Sequence, residues 1–157
     1  MKTTIETDYY WIYRDKFIIK PDFNGNLDKF NNLIKSHSQL IFSNYYDFDI
    51  LFETNNKHVP KYDNEFVGSL FDKPIKLDDE LTHITLGYHF NQPITLNKNL
   101  ISLTLGNNFN QTIQLVEGLK SLTLGNQFNQ PIQLVDGLKY LEIDSNHPII
   151  NYLPNTL

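Results

Sequence analysis

With 157 residues, 40% of them hydrophobic and 13% aromatic, the chain has enough apolar surface to bury a single core, which argues against disorder. A net charge of -5 with no run of Lys or Arg leaves nothing to neutralise successive phosphates, so nucleic acid is not an expected partner. The lack of cysteine excludes a disulfide framework, a thiolate metal site and a cysteine nucleophile together.

The opening MKTTIETDYYWIYRDKF carries acids and aromatics where a signal peptide needs a basic and then an apolar run, and no stretch approaches a membrane span in length. A cytoplasmic protein without a membrane partner is the expectation. Residues 1–16 read as an N-terminal cap. Residues 17–61 then read as two divergent, longer coils of one repeating unit. In the first, Ile19, Phe23, Asn24 and Leu27 take slots that recur downstream, and Leu27, Phe30, Leu33 and Ile34 in "NLDKFNNLIKS" fall at helical spacing, which predicts one short helix. In the second, Phe42, Ser43, Tyr46, Asp47 and Ile50 take the same slots, followed by the polar, proline-containing insertion "ETNNKHVPKYDN".

From 62 to 137 the repeat is plain. Gly68, Gly87, Gly106 and Gly125 stand nineteen residues apart, each three residues ahead of Phe71, Phe90, Phe109 or Phe128. Self-similarity at a fixed offset signals a repeat architecture. Within one unit, Leu100, Leu103 and Leu105 make an L-x-x-L-x-L run whose last two leucines alternate with Ser102 and Thr104, as a strand with one buried face requires. Gly106 ends the strand, either for a turn or because another backbone comes close. Ile113 and Leu115 alternate on an extended return side, where Pro93 and Pro131 disfavour a regular ladder. Glu117-Gly118 and Asp136-Gly137 close the circuit, glycine accepting a positive φ without cost. Residues 138–157 form a degenerate terminal coil, with Asp144 in the glycine slot, His147 in the aromatic slot, and Leu138, Leu141, Ile143 and Leu153 in apolar ones.

The fold class that follows is a single-domain, β-rich solenoid: a leucine-rich-repeat-like stack of about 19-residue coils with a parallel strand ladder. Counted this way the chain makes seven turns, a stack of roughly 30 to 35 Å at about 4.8 Å per strand.

The pattern L-x-x-L-x-L-G-x-x-F-N-x-P-I, carried by Leu81 to Ile94, Leu100 to Ile113 and Leu119 to Ile132, resembles the FNIP repeat, a leucine-rich-repeat-like unit of social amoebae and giant DNA viruses. The resemblance is specific over residues 68–134. The family unit is usually about 22 residues, so this shorter one implies a tighter return side; Thr112 also replaces the motif proline in one coil. The resemblance implies protein binding, in the host cytoplasm if the chain is viral. Some members carry an F-box and are thought to present clients for ubiquitination. The residues ahead of the first coil here are too few for an F-box bundle, so that role follows from the resemblance alone.

Asn91, Asn110 and Asn129, with Asp72 before them, read either as scaffolding for the bend or as an amide row for a ligand. Scaffolding is favoured, because similar residues stacked in register serve coils. The phenylalanine row reads as core and not as a platform for bases. His37, His58, His83, His89 and His147 make no metal spacing, Glu117 and Asp136 repeat one turn slot, and no nucleophile or phosphate motif is present, so no enzyme, metal or cofactor is expected.

That leaves the outward strand face: Thr82, His83, Thr85 and Tyr88; Ile101, Ser102 and Thr104; Lys120, Ser121 and Thr123; Lys139, Tyr140 and Glu142. Its varied chemistry suits a protein partner of unspecified identity, with Tyr88, Ile101 and Tyr140 as anchors. One alternative is a structural subunit that assembles through its solenoid ends; a weaker one is ice or carbohydrate binding on the Thr85, Thr104 and Thr123 row. At the carboxyl end Leu157 falls in the register of the strand-opening leucines and Pro154 blunts the edge. A weak cap is expected there, on a monomer whose self-association runs end to end.

Overall fold

The computed structural model describes residues 4–44, 68–144 and 146–149. Their strands form one eight-stranded sheet in chain order: β1 (Thr4–Glu6), β2 (Tyr10–Tyr13), β3 (Lys16–Ile19), β4 (Gln39–Phe42), β5 (His83–Thr85), β6 (Ser102–Thr104), β7 (Ser121–Thr123) and β8 (Tyr140–Glu142). The first three pair antiparallel as a meander, and from β3 onward every pairing is parallel. Parallel neighbours require a crossover, and here each crossover is the return side of one coil. The β-solenoid predicted from the repeat is therefore present. The one α-helix among the described residues, α1 (Asn31–Lys35), follows a 3-10 turn at Asp28–Phe30; the turn buries Phe30 and the helix Ile34, as the helical spacing predicts.

The strands β5, β6 and β7 share one burial pattern, with the middle residue buried and its neighbours half-buried. In-register pairing stacks Leu40, Ile84, Leu103, Leu122 and Leu141 inward. Behind them runs the aromatic column. Phe71, Phe90, Phe109 and Phe128 stack at 6.2 Å with interplanar angles of 0 to 9°. Phe23 extends the column by lying 6.4 Å from Phe71 at 9°, and His147 ends it 5.5 Å from Phe128. The substituted histidine of the terminal coil thus keeps the aromatic slot. Its Nδ1 accepts the Ile149 N–H at 3.2 Å, so its Nε2 carries the proton and donates to the Gln130 carbonyl at 3.2 Å.

The two kinds of repeated glycine have different causes. A methyl group on Gly106 would overlap the Gly87 carbonyl, and one on Gly125 the Gly106 carbonyl, so this slot is set by close approach of successive backbones. In the closing turn Gly137 has φ +78, as expected, but Gly118 does not share a positive φ and a methyl group there would meet only ordinary contacts.

Among the described residues the six parallel strands β3 to β8 are joined into about five turns, against the seven expected. Gln39 pairs with His83, 44 positions on and 25 more than one nineteen-residue turn needs. On the return side the Asp72 N–H donates to Asn24 Oδ1 at 3.3 Å, and Phe71 stacks on both Phe23 and Phe42. One turn is therefore composite: β4 supplies its strand and residues 68–80 its return side. Asn44 joins the halves, its Oδ1 accepting the N–H groups of Ser69 and Tyr88, each at 2.8 Å. The slots assigned to Tyr46, Asp47 and Ile50, and those of Leu153, Pro154 and Leu157, lie outside the described residues.

Candidate partner-binding face

The register of the ladder arranges the outward residues in three rows. The residues just ahead of the strands form the first. Ile101 N–H donates to Thr82 O, Lys120 N–H to Ile101 O and Lys139 N–H to Lys120 O, each at 2.8 Å, and Thr82 N–H donates to Ser38 O at the same distance. His83, Ser102, Ser121 and Tyr140 form the second row, and Thr85, Thr104, Thr123 and Glu142 the third. Neighbouring rungs lie about 4.8 Å apart. The structure thus brings together all the residues expected on this face except Tyr88, which sits one corner further on.

Exposure separates the expected anchors. Ile101 is 42% and Tyr140 52% exposed, against half-buried Tyr88, whose N–H is held by Asn44 and whose ring meets His89 edge-on at 5.0 Å. Tyr140 is fixed by a hydrogen bond from its hydroxyl to Glu142 Oε2 at 3.0 Å, and Thr123 Oγ1 reaches the same oxygen at 3.4 Å. That bond, with the carboxylate charge behind it, holds the Tyr140 phenol above its ordinary range. At the other end of the first row Asp15 accepts from Ser38 Oγ at 2.9 Å and Gln39 Nε2 at 3.0 Å. Burial opposes the Asp15 charge, but these bonds outweigh it and keep its carboxyl below the usual carboxylate range.

Beyond β5 the third row turns apolar, which sequence reasoning missed. Ile18, in register with Ile41, is buried together with Trp11 and Tyr13 in a second cluster, and Ile41 packs against it. The signal was the unbroken run Phe17-Ile18-Ile19, which marks a strand buried on both faces. The first two rows stay polar through Ser38, Gln39 and Lys16, while the third is polar only from Thr85 onward.

His83 Nδ1 lies 2.8 Å from Thr82 Oγ1, His89 pairs with Asn108, and His37 Nδ1 lies 2.6 Å from the Leu33 carbonyl, so each is engaged within its own or the adjoining turn. His58 lies outside the described residues. Among the described residues no three His, Asp or Glu side chains converge as a metal site, and no helix is long and apolar enough to cross a membrane.

The asparagine row is the scaffold that its spacing suggested. Asn91 Oδ1 accepts the Asn110 N–H at 2.9 Å and the Gln111 amide at 3.2 Å; Asn110 Oδ1 accepts the Asn129 N–H and the Gln130 amide, each at 3.1 Å. Each side-chain oxygen is thus used twice by the next turn.

No family model, no curated protein and no solved structure matches the chain.

Proposed function

We propose that this chain is a non-enzymatic protein-interaction module, of the FNIP kind that its motif resembles, which grips a partner protein across the three outward rows of its ladder. The observation that carries this reading is the pairing of rigidly spaced polar rungs with two large exposed side chains, Ile101 and Tyr140. A parallel ladder in a closed stack presents its face without rearrangement, so docking costs little ordering entropy. Large side chains in a polar surround dominate such interfaces. The FNIP resemblance extends the reading to a cytoplasmic monomer that selects clients for ubiquitination in company with other subunits.

The test is affinity capture from the native cell with the parent chain and with Ile101→Lys and Tyr140→Ala, followed by titration of the captured protein. Each substitution is expected to weaken binding about tenfold or more while leaving the urea midpoint unchanged. Capture that both variants retain, or recovery of the chain itself alone, would sink the proposal.

A further inference from the structure

At the N-terminal end of the stack, under the sheet and away from the outward rows, the ammonium of Lys29 lies against three aromatic rings. Its Nζ is 4.4 Å from the centroid of Tyr9, 4.8 Å from that of Phe30 and 5.3 Å from that of Phe23. The rings meet at steep angles, Tyr9 to Phe23 at 68° and Phe23 to Phe30 at 54°, so they stand as walls of a box and not as a flat pile. Two walls are rigid. Phe23 and Phe30 are 5% and 6% exposed, Phe23 backed by Phe71 and Phe30 by Phe17 and Tyr10. The third, Tyr9, is 49% exposed and leaves the box open to solvent.

Lys29 is a poor occupant of this box. A primary ammonium carries three N–H donors, and aromatic faces offer them no ordinary acceptor. Among the described residues no carboxylate pairs with Lys29, and its side chain is exposed, so it can leave by rotation without disturbing the backbone. A quaternary ammonium has the opposite balance: it keeps the charge that the ring faces attract, has no N–H to satisfy, and buries methyl groups. Among the described residues Arg14 lies over the Tyr13 ring and Lys20 over the Trp11 ring, and the ammonium that meets three described rings is that of Lys29.

We propose that Tyr9, Phe23 and Phe30 form an aromatic cage for a quaternary ammonium group, with Lys29 as its resident placeholder. The group can arrive on a free small molecule with a trimethylammonium head or on a trimethylated lysine side chain. The site is separate from the strand face, so its test is independent of the interface proposed above.

The parent chain, Lys29→Ala and Lys29→Gln are titrated with tetramethylammonium chloride at constant ionic strength, following the aromatic NMR resonances. Saturable shifts confined to Tyr9, Phe23 and Phe30 are expected, with both variants binding about tenfold more tightly than the parent because the placeholder is gone. Adding Tyr9→Ala to Lys29→Ala is expected to reduce that affinity about tenfold, and the neutral isostere tert-butanol to give no saturable shift. Choline and a trimethyllysine peptide separate the two sources: equal affinity assigns the site to a free head group, tighter peptide binding to a modified protein. A folded Lys29 variant with no saturable shift, an equal response to tert-butanol, or indifference to Tyr9→Ala would overturn the cage.

Discussion

Asn110 shows what one side-chain oxygen does in this fold. Its Oδ1 accepts both the Asn129 N–H and the Gln130 amide, while its own N–H goes to Asn91. In the composite turn Asp72 holds the same slot, its carboxylate accepting the Asn91 N–H and Gln92 Nε2, each at 2.9 Å. The slot therefore demands an acceptor at this oxygen and makes no use of the amide nitrogen. Asn110→Ala is expected to destabilise the fold by about 1 to 3 kcal/mol, because it removes two hydrogen bonds between turns, each worth about 0.5 to 1.5 kcal/mol. Asn110→Asp keeps the acceptor and should cost under about 1 kcal/mol. Urea denaturation of the two variants compares them directly. If aspartate cost as much as alanine, the amide nitrogen would have a role that the hydrogen bonds do not reveal.

Among the elements, β4 is the one that tests what holds a turn together. Its spacing to β5 exceeds a regular turn by 25 residues, and joining Asn44 to Leu70 restores the unit: Phe42-Ser43-Asn44-Leu70-Phe71 then matches Leu86-Gly87-Tyr88-His89-Phe90. The chain already returns close to Asn44 two residues before Leu70, since the Gly68 N–H donates to the Asn44 carbonyl at 3.3 Å. A chain lacking residues 45–69 is expected to keep its sheet spectrum and unfold in one transition, because the β4–β5 ladder and the Phe42–Phe71 stack join residues that it retains. Loss of the cooperative transition would mean that β4 and residues 68–80 do not form one turn unaided. This element also marks the limit of reading the sequence. Alternation reveals which face of each strand is buried and places the outward rows, because facing depends only on neighbours two residues apart. Which strand stands beside which is decided by ladder bonds and ring stacking between turns, and Phe42 fits its slot equally well whether the next rung is near or far in the chain. The apolar cluster of Trp11, Tyr13 and Ile18 and the rings around Lys29 escaped for the same reason: each joins a hairpin residue to a later turn, and no period connects them.

For the molecule as a whole, the stack behaves as a one-dimensional array in which each turn touches only its neighbours. Residues 100–118 and 119–137 present the same surfaces: Leu103 and Leu122 below Ile84, Phe109 and Phe128 in the column, Asn110 and Asn129 in the ladder, Gly106 and Gly125 at the close approach. Removing 100–118 takes out one whole turn and brings Ile84 to Leu122, Phe90 to Phe128 and Asn91 to Asn129 with the register intact. The shortened chain is expected to fold to the same sheet and unfold in one transition at lower urea, with a denaturant slope reduced by about a tenth in line with the smaller surface exposed on unfolding. The lost stability is that of one turn and one interface, since the remaining contacts are copies of those removed. Removing only residues 100–109 takes out half a turn. It leaves the return side of that turn without its strand and shifts every later residue out of its slot, and it should abolish the cooperative transition. Circular dichroism over a urea series distinguishes the two deletions. If the whole-turn deletion also fails to fold, coupling extends beyond nearest neighbours, and the ladder must be held by contacts that span more than one turn.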